Sequence, residues 1–303
     1  MPQTGRTERM AQPPTHHRRD TISALTLLAP AMILFGAFIL LPLMQTFAWS
    51  LYRYEVFGGV KEFVGLDNFA KLAGDEVFGI ALINNLKFAV LSVVLQVGMG
   101  LVLAALLDRG VRRFKVVYRT IIFAPILVST AAVGLLWSLI LNPSIGPVDD
   151  WLGLIGLSAP RNGLLGEPAF AIYGVIFVGA WQYTGFMMVI LLAGMQNVPE
   201  ETYEAARMDG CKGLRAFFHI TLPTIRNVII TCCLLTVIGA FKVFDLVYVL
   251  TNGGPGNATE VLASYIFRNA FEFGQIGYAN ALSVVFLAIA FVFGLIQFRM
   301  IRR

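Results

Sequence analysis

Residues 88–107 read FAVLSVVLQVGMGLVLAALL and contain no charged side chain. A run of about 20 apolar residues is long enough to cross the hydrocarbon core of a bilayer as one α-helix. The whole chain of 303 residues has the same character, because 57% of it is hydrophobic and only 14% is charged. Soluble domains carry about 25% charged residues. The composition therefore excludes an ordinary soluble enzyme and predicts an integral membrane protein.

Six charge-poor stretches predict six transmembrane helices and an all-α, polytopic fold. Most of them contain glycine or proline, which spanning helices tolerate better than soluble ones. The first stretch is too long for the apolar part of a signal peptide, so we expect it to be retained. The six stretches are Ile22–Tyr52, Phe88–Leu107, Thr120–Leu141, Pro168–Pro199, Leu222–Leu250 and Phe273–Phe298.

The basic residues predict how the chain is oriented. Most of the 23 lysines and arginines lie before the first stretch, after the second and fourth stretches, and at the C-terminus. Because cytoplasmic loops carry an excess of these residues, we expect both termini in the cytoplasm. The predicted organisation is a disordered cytoplasmic tail (1–20), a first helix with an extracytoplasmic loop (21–79), a core of five helices (80–299) and a cytoplasmic C-terminus (300–303).

The loop at residues 199–223 is the most informative part of the sequence. Residues 200–208 are rich in helix formers, with acidic residues in the first turn where the helix dipole favours them. Gly210 stands where a helix C-cap is expected. A second short helix would then carry Leu214 and Phe217 on an apolar face. The pattern predicts two short helices joined at a glycine turn, although a connector lying on the membrane surface fits it as well.

The sequence offers no catalytic centre. There is no phosphate-binding loop of the form G-x-x-x-x-G-K-[ST], so we expect no ATP hydrolysis by this chain. The three histidines and three cysteines do not show the spacing of metal ligands. Basic and aromatic residues are not interleaved as they are in nucleic-acid platforms. We therefore expect neither an enzyme nor a metal protein, with no cofactor bound by this chain and no nucleic-acid partner.

Three stretches of the chain resemble one family of transporters. The run Glu204-Ala205-Ala206, followed by Gly210 and later by Ile220, Leu222 and Pro223, resembles the EAA loop of binding-protein-dependent ABC importer permeases. Residues 63–69 (FVGLDNF) and 244–259 (FDLVYVLTNGGPGNAT) resemble segments of the sugar-type permeases. The resemblance covers roughly residues 25–299 and is to the MalF/UgpA-like subunits of carbohydrate importers. It implies six helices with a MetI-like ABC importer permease core.

The resemblance also implies a set of partners in a bacterial cytoplasmic (inner) membrane. These are a second permease subunit in a heterodimer, two cytosolic ABC ATPase subunits that bind ATP and Mg, an extracytoplasmic solute-binding protein, a carbohydrate substrate and membrane lipid. The EAA loop is implied to dock on the ATPase as a coupling helix. Its implied contact residues are Glu204, Ala205, Ala206, Asp209, Gly210, Leu214 and Phe217. The glycine-rich turns at 253–256 are expected to meet the binding protein.

Polar residues within the stretches are candidates for the substrate path, because intramembrane polar groups face a cavity or another helix. A sugar needs amides for its hydroxyl groups and an aromatic face for its ring. The candidates are Asn85, Gln96, Trp181, Gln182, Tyr183 and Asn280. Hydrogen bonding between helices is the alternative explanation for such residues. Lys242 and Asp245, three residues apart, are expected to form a structural ion pair on one helix face.

A stand-alone secondary transporter or channel is the competing function. Such carriers often show two related halves and helices that are broken at the midplane of the membrane. No clear repeat relates the first three stretches to the last three, which favours the ATP-driven importer.

Overall fold

The computed structural model describes residues 17–56, 58–110, 113–154, 156, 160 and 162–301. The chain divides into two compact units, residues 1–48 and 49–303. The first unit is helical, with α1 (His17–Phe35), a π-helical turn (Gly36–Leu40) and α2 (Leu41–Trp49), which ends at the first residue of the second unit. Residues 1–16 of the predicted disordered tail lie outside the described part, and α1 already begins at His17.

The second unit begins with a small element that an all-α prediction did not include. Strands β1 (Tyr52–Glu55) and β2 (Val60–Phe63) form an antiparallel hairpin, which pairs Tyr52 with Phe63. The side chain of Asn68, in α3 (Asp67–Ala73), donates hydrogen bonds to the carbonyl oxygens of Ser50 (2.8 Å) and Tyr52 (3.0 Å). The fold remains helical, with this hairpin fixed at one end, which we call the hairpin end.

The remaining elements of the second unit are helices. In chain order they are α4 (Glu76–Ser92), a π-turn (Val93–Val97), α5 (Gly98–Ala105), a π-turn (Leu106–Gly110), α6 (Lys115–Phe123), a 3-10 turn (Ala124–Leu127), α7 (Thr130–Ile140), α8 (Val148–Leu154), α9 (Gly163–Gly166), α10 (Ala171–Gln196), α11 (Glu200–Met208), α12 (Leu214–Ala216), a π-turn (Phe217–Thr221), α13 (Leu222–Thr224), α14 (Arg226–Phe241), α15 (Asp245–Leu250), α16 (Leu262–Phe267), a π-turn (Arg268–Glu272) and α17 (Ile276–Ile301).

The described residues contain four straight helical segments that could cross a membrane, and up to six with two bent pairs. The straight segments are Thr26–Trp49, Glu76–Asp108, Ala171–Gln196 and Ile276–Gln297. The pairs are Lys115–Leu127 with Thr130–Ile140, bent by 98°, and Leu214–Thr224 with Arg226–Phe241, bent by 70°. The predicted number of six agrees with the upper count.

The predicted bounds of the spans need correction, and the second, fifth and sixth spans are examples. The second span begins at Glu76 rather than Phe88, so Asn84, Asn85 and Lys87 lie inside it. The fifth ends at Phe241 rather than Leu250, and the sixth begins at Ile276 rather than Phe273. In the second span, a search for charge-free stretches stops at Lys87, whereas the helix continues because tertiary hydrogen bonds satisfy Asn84 and Asn85.

Helix α10 lies at the centre of the second unit. Most of its apolar side chains are buried, including Ile172, Ile176, Met188 and Leu191. Neighbouring backbone approaches it closely at Gly185, where a Cβ atom would lie 2.0 Å from the carbonyl oxygen of Ile122. Helix α10 thus holds the bent α6–α7 pair and the span α4–α5 together, and its C-terminus leads directly into the loop at 199–223.

Candidate functional site

Residues 199–224 form a folded projection, which we call the knob. Helix α11 spans Glu200–Met208, and this confirms the predicted helix. The helix ends in a Schellman-type cap, in which Gly210 has a φ of +74°. The N–H of Gly210 donates to Arg207 O (3.1 Å) and the N–H of Cys211 donates to Ala206 O (2.8 Å). Gly210 is therefore the C-cap glycine that the sequence predicted.

Buried contacts hold the knob to the helices behind it. The hydroxyl groups of Tyr203 and Thr221 are 2.9 Å apart and buried, so they join α11 to the second arm of the knob. Ala206 and Ala216 are also buried, and Phe217 packs against the apolar cluster around Met195. The two arms are fixed to each other and to the ends of α10 and α14.

The seven predicted contact residues of the knob divide into two groups. Glu204, Ala205, Asp209, Gly210 and Leu214 are exposed. Ala206 and Phe217 instead face the body of this chain, which corrects their expected role as contacts for a partner. Their positions place them on the same side of the knob as Tyr203 and Thr221, where they stabilise it.

Sequence reasoning overlooked Met208 on the exposed surface of the knob. The side chain of Met208 is 89% exposed, and that of Leu214 across the glycine turn is 77% exposed. Met208 lies four residues after Glu204, so the two side chains share one face of α11. That spacing was the available signal. Met208 therefore joins the exposed residues of the knob.

A cavity of about 390 Å³ lies beside α10, where two broken helices meet it. One break, at residues 128–129, precedes α7, and the other, at 242–244, separates α14 from α15. Non-helical backbone at membrane depth is tolerated where it is buried in protein or lines a water-filled cavity. The polar and aromatic residues that line this one include Phe88, Gln96, Thr130, Tyr183, Phe186, Thr236, Lys242, Phe244 and Asp245.

Two of the six predicted path residues, Gln96 and Tyr183, line this cavity. The hydroxyl of Tyr183 lies 3.3 Å from that of Thr130. The side chain of Gln96 makes no hydrogen bond to another residue of the described part of the chain, which leaves its amide available to a ligand. The structure therefore brings these two side chains to one space although they are far apart in sequence.

The other four path candidates are used in packing. The Asn85 side chain is fully buried, where its amide donates to Ala240 O (3.1 Å) and its carbonyl accepts from Leu262 N (2.8 Å). Gln182 donates to Val128 O (3.1 Å) at a helix break, and Asn280 donates to Ile276 O (2.8 Å) in its own helix. The ring of Trp181 packs edge-on against Trp137 at 5.5 Å.

The expected ion pair between Lys242 and Asp245 is wrong for this structure. Helix α14 ends at Phe241 and α15 begins at Asp245, so the two residues do not share a helix face. No salt bridge joins them among the residues that the structure describes. Both side chains are exposed at the cavity instead. The break in the helix, which a three-residue spacing cannot reveal, separates them.

Asp75 joins three helices at the hairpin end. Its Oδ1 accepts the N–H groups of Val77 (2.9 Å) and Phe78 (3.2 Å) and so caps α4. Its Oδ2 accepts the hydroxyl of Tyr265 in α16 (2.6 Å) and that of Tyr278 in α17. Burial raises the pKa of Asp75. The four hydrogen bonds together lower it by more, so the net pKa lies below its ordinary value. Burial and the bond to Asp75 raise the pKa of Tyr265 to about 12, so it remains a donor.

The hydrogen bonds of Asp75 predict that the stability of the folded protein depends on pH. A carboxyl group with a lowered pKa stabilises the folded state above its unfolded pKa, and this contribution is lost as the pH falls through the folded pKa. We expect Asp75→Asn to lower the free energy of unfolding by about 1–2 kcal/mol at pH 7, because charged hydrogen bonds are lost. The difference from wild type should shrink below about pH 4. Thermal unfolding of the purified complex between pH 7 and pH 3 checks this, and an equal difference at every pH would contradict it.

The glycine-rich turns at 253–256 fold around a buried carboxylate. Glu260 is fully buried, where it pairs with Arg268 Nη1 (2.6 Å) and accepts a hydrogen bond from Ser264 (2.6 Å). A Cβ atom on Gly253, whose φ is +80°, would lie 2.2 Å from Glu260 Oε2. The segment is rich in turns, as predicted, but Gly253 is buried and among residues 252–256 only Asn252 and Gly256 are exposed. Most of this segment therefore faces its own chain.

The rest of the described chain shows no grouped metal ligands. No set of three or more His, Cys, Asp or Glu side chains among the described residues is placed to hold a metal ion.

Comparisons with known proteins agree on one family. Residues 96–303 match the model of the "Binding-protein-dependent transport system inner membrane component". The chain is 39% identical to the probable ABC transporter permease protein YurN of Bacillus subtilis, covering 90% of this chain and 93% of YurN. It is 34% identical to the trehalose/maltose transport system permease protein MalF of Thermococcus litoralis, covering 93% and 94%. A chain of the bacterial alginate ABC transporter, solved in complex with alginate pentasaccharide-bound periplasmic protein, is similar with a TM-score of 0.80 and 25% identity, over 94% of this chain and 96% of that one.

Proposed function

The chain belongs to the family of binding-protein-dependent transport system inner membrane components, and we propose that it forms half of a carbohydrate path driven by ATP through the knob. As a permease subunit of an ABC importer it is a multi-pass membrane protein without catalytic activity, and members of this family carry no cofactor themselves. The trehalose/maltose and alginate systems among its relatives support a carbohydrate as the substrate.

The main support for the proposal is the structure of the knob. It presents Glu204, Ala205, Met208 and Leu214 outward, while Tyr203 and Thr221 fix it from behind. A projection that is held by buried contacts and exposes the apolar side chains of Met208 and Leu214 suits a groove on an ATPase subunit. It is continuous with α10 and α14, which both line the cavity, so a displacement of the knob acts on the cavity walls.

The proposal includes a set of partners. A second permease subunit would complete the path, two cytosolic ABC ATPase subunits would hold ATP and Mg, and an extracytoplasmic solute-binding protein would deliver the sugar. The knob would then lie on the cytoplasmic side. The distribution of lysine and arginine supports the same orientation, with both termini in the cytoplasm.

The cavity beside α10 suits a carbohydrate. Gln96, Tyr183 and Thr236 offer hydrogen-bonding groups, and Phe88 and Phe186 offer apolar walls for the C–H faces of a sugar ring. Binding sites for small molecules combine apolar lining with a few placed polar groups in this way.

Reconstitution tests the proposed function. We expect proteoliposomes with both permeases, the ATPase subunits, ATP and the binding protein to take up a radiolabelled sugar from a panel that includes trehalose and maltose. Vesicles that lack the ATPase subunits should take up none. Sugar uptake that persists without the ATPase would support a stand-alone carrier and contradict the proposal.

Two substitutions distinguish a residue of the proposed substrate path from a residue that packs between helices. Gln96→Leu removes an amide that lines the cavity, and we expect the sugar uptake rate to fall up to about tenfold while the complex stays intact, since one hydrogen bond contributes about 0.5–1.5 kcal/mol. Asn85→Leu leaves Leu262 N–H and Ala240 C=O unpaired, and it should destabilise the protein by about 2–4 kcal/mol. Uptake and the yield of assembled complex are the two measurements. Normal sugar uptake by the Gln96→Leu variant would show that Gln96 does not contact the substrate.

A further inference from the structure

A row of four aromatic side chains leads away from the cavity, and we call it the aromatic row. The ring of Phe244, which lines the cavity, stacks on that of Tyr248 with centroids 5.3 Å apart. The ring of Phe267 lies 5.1 Å from that of Phe244 and 5.4 Å from that of Tyr248. The ring of Phe271 lies 5.0 Å from that of Phe267, and Phe271 is 70% exposed. The aromatic row is therefore continuous from the cavity to the surface.

The exposed end of the aromatic row lies at the hairpin end. Phe271 belongs to the π-turn Arg268–Glu272. Two residues after this turn, Gly274 O accepts the N–H of Val56 in the hairpin (2.9 Å).

The hairpin end and the knob lie at opposite ends of one spanning segment. The segment Glu76–Asp108 begins beside Asp75, which is at the hairpin end. At its other end, Asp108 lines a small cavity together with Tyr203 of the knob. Where the knob meets an ATPase in the cytoplasm, Phe271 therefore lies on the extracytoplasmic side.

Polar groups accompany the aromatic row. Asp245 and Tyr248, three residues apart, share the exposed face of α15, and exposed Asn252 follows that helix. The carboxylate of Asp245 and the hydroxyl of Tyr248 form no hydrogen bond within the described part of the chain. Because a carboxylate is costly against lipid, this face of α15 requires a polar neighbour.

We propose that the aromatic row, with Asp245 and Asn252 beside it, is a carbohydrate subsite through which the sugar enters the cavity. This inference rests on the proposed function, which supplies the substrate class. A sugar ring has C–H faces that pack on aromatic rings, and its hydroxyl groups bond to carboxylates and amides. Because successive rings are in contact, a sugar can move from Phe271 to Phe244 without losing an aromatic neighbour.

Buried contacts hold the backbone that carries the aromatic row. Leu246 and Val247 of α15 are buried, and so is Leu262 at the start of α16. Arg268 Nη1 pairs with fully buried Glu260 (2.6 Å) and so fixes the π-turn that contains Phe271. A preformed site loses little conformational freedom when a ligand binds.

A second set of exposed aromatic side chains provides a control. Tyr173, Phe177 and Trp181 recur every four residues on one exposed face of α10, and none of them lines the cavity. Their loss therefore removes an exposed ring without touching the proposed route of the sugar.

The test measures sugar uptake by the complete transporter in proteoliposomes with its solute-binding protein. The probe is the radiolabelled panel sugar that the wild-type transporter takes up, and trehalose and maltose are assayed first. We expect Phe271→Ala and Tyr248→Ala each to lower the uptake rate about three- to tenfold, because each removes one aromatic contact. Tyr248→Phe keeps the ring and should lose less. Phe177→Ala is the matched control and should stay within about twofold of wild type, since Phe177 is 52% exposed outside the cavity.

A second measurement separates a sugar contact from a protein contact. The affinity of the transporter for the solute-binding protein should be the same in the Phe271→Ala and Phe177→Ala variants. The second permease subunit should co-purify with both.

Each outcome decides the proposal. Uptake by Phe271→Ala and Tyr248→Ala equal to that of Phe177→Ala would overturn the subsite. Weaker affinity of Phe271→Ala for the solute-binding protein, or loss of the second permease from the purified Tyr248→Ala variant, would also overturn it, because the aromatic row would then contact a protein. Failure of the wild-type transporter to take up any panel sugar would contradict the proposed function itself.

Discussion

Glu204→Lys is expected to reduce sugar uptake roughly a hundredfold while the permease remains folded. The side chain is exposed, and no ion pair within the described part of the chain uses it, so the fold does not depend on its charge. Reversal of a charge that faces a partner costs about 2–5 kcal/mol of binding free energy. The measurements are uptake into proteoliposomes and the amount of ATPase that co-purifies.

Thr202→Lys is the matched control for this substitution. Thr202 is exposed on the same helix but lies two residues away, about 200° around it. It adds a cation to the knob without placing it on the face of Glu204 and Met208, so uptake should remain within about twofold of wild type, as for most exposed substitutions. Equal losses of sugar uptake in both variants would mean that any added positive charge on the knob impairs uptake. Normal uptake by the Glu204→Lys variant would show that Glu204 does not contact the ATPase.

Arg268→Met is expected to prevent accumulation of the folded complex. Arg268 is the cation that pairs with fully buried Glu260, at 2.6 Å. Removing one partner of a buried pair leaves an uncompensated charge and costs about 3–5 kcal/mol. That is a large share of the stability of a folded protein, which is about 5–15 kcal/mol. The yield after gel filtration and the thermal unfolding midpoint measure the effect.

Two variants show whether the lost charge is the cause. Arg268→Met combined with Glu260→Gln removes both charges and should recover part of the lost stability. Arg53→Met breaks an exposed pair with Glu62, at 3.7 Å, which contributes at most about 1 kcal/mol. An unfolding midpoint for Arg268→Met equal to that of Arg53→Met would contradict the account.

The knob could be predicted because its signals are local. Helix formers from Glu200 onward, acidic residues in the first turn and a glycine at the stop all act within a few residues, and α11 has the predicted bounds. The direction of each side chain depends on what the knob packs against. For that reason Ala206 and Phe217 were expected at the partner surface, and Met208 was overlooked.

Long-range contacts explain the other differences. Asn84 and Asn85 lie within a membrane helix because backbone groups at residues 258–262 accept from or donate to their amides. The second span therefore extends further than a charge-free window predicts. The break after Phe241 likewise depends on packing around α15, so the spacing of Lys242 and Asp245 could not predict that they would separate. Polar residues in the spans gave six candidates for the substrate path, but only the fold shows that two of them, Gln96 and Tyr183, line one cavity.

Photo-crosslinking from the tip of the knob tests the central claim most directly. Benzoylphenylalanine in place of Met208, in the assembled transporter, should form an adduct with an ATPase subunit and stop sugar uptake on illumination. The same probe in place of Leu154, in α8, should form no such adduct. Adducts from position 208 with lipid alone, in a transporter that still takes up sugar, would contradict the claim that the knob couples this chain to its ATPase.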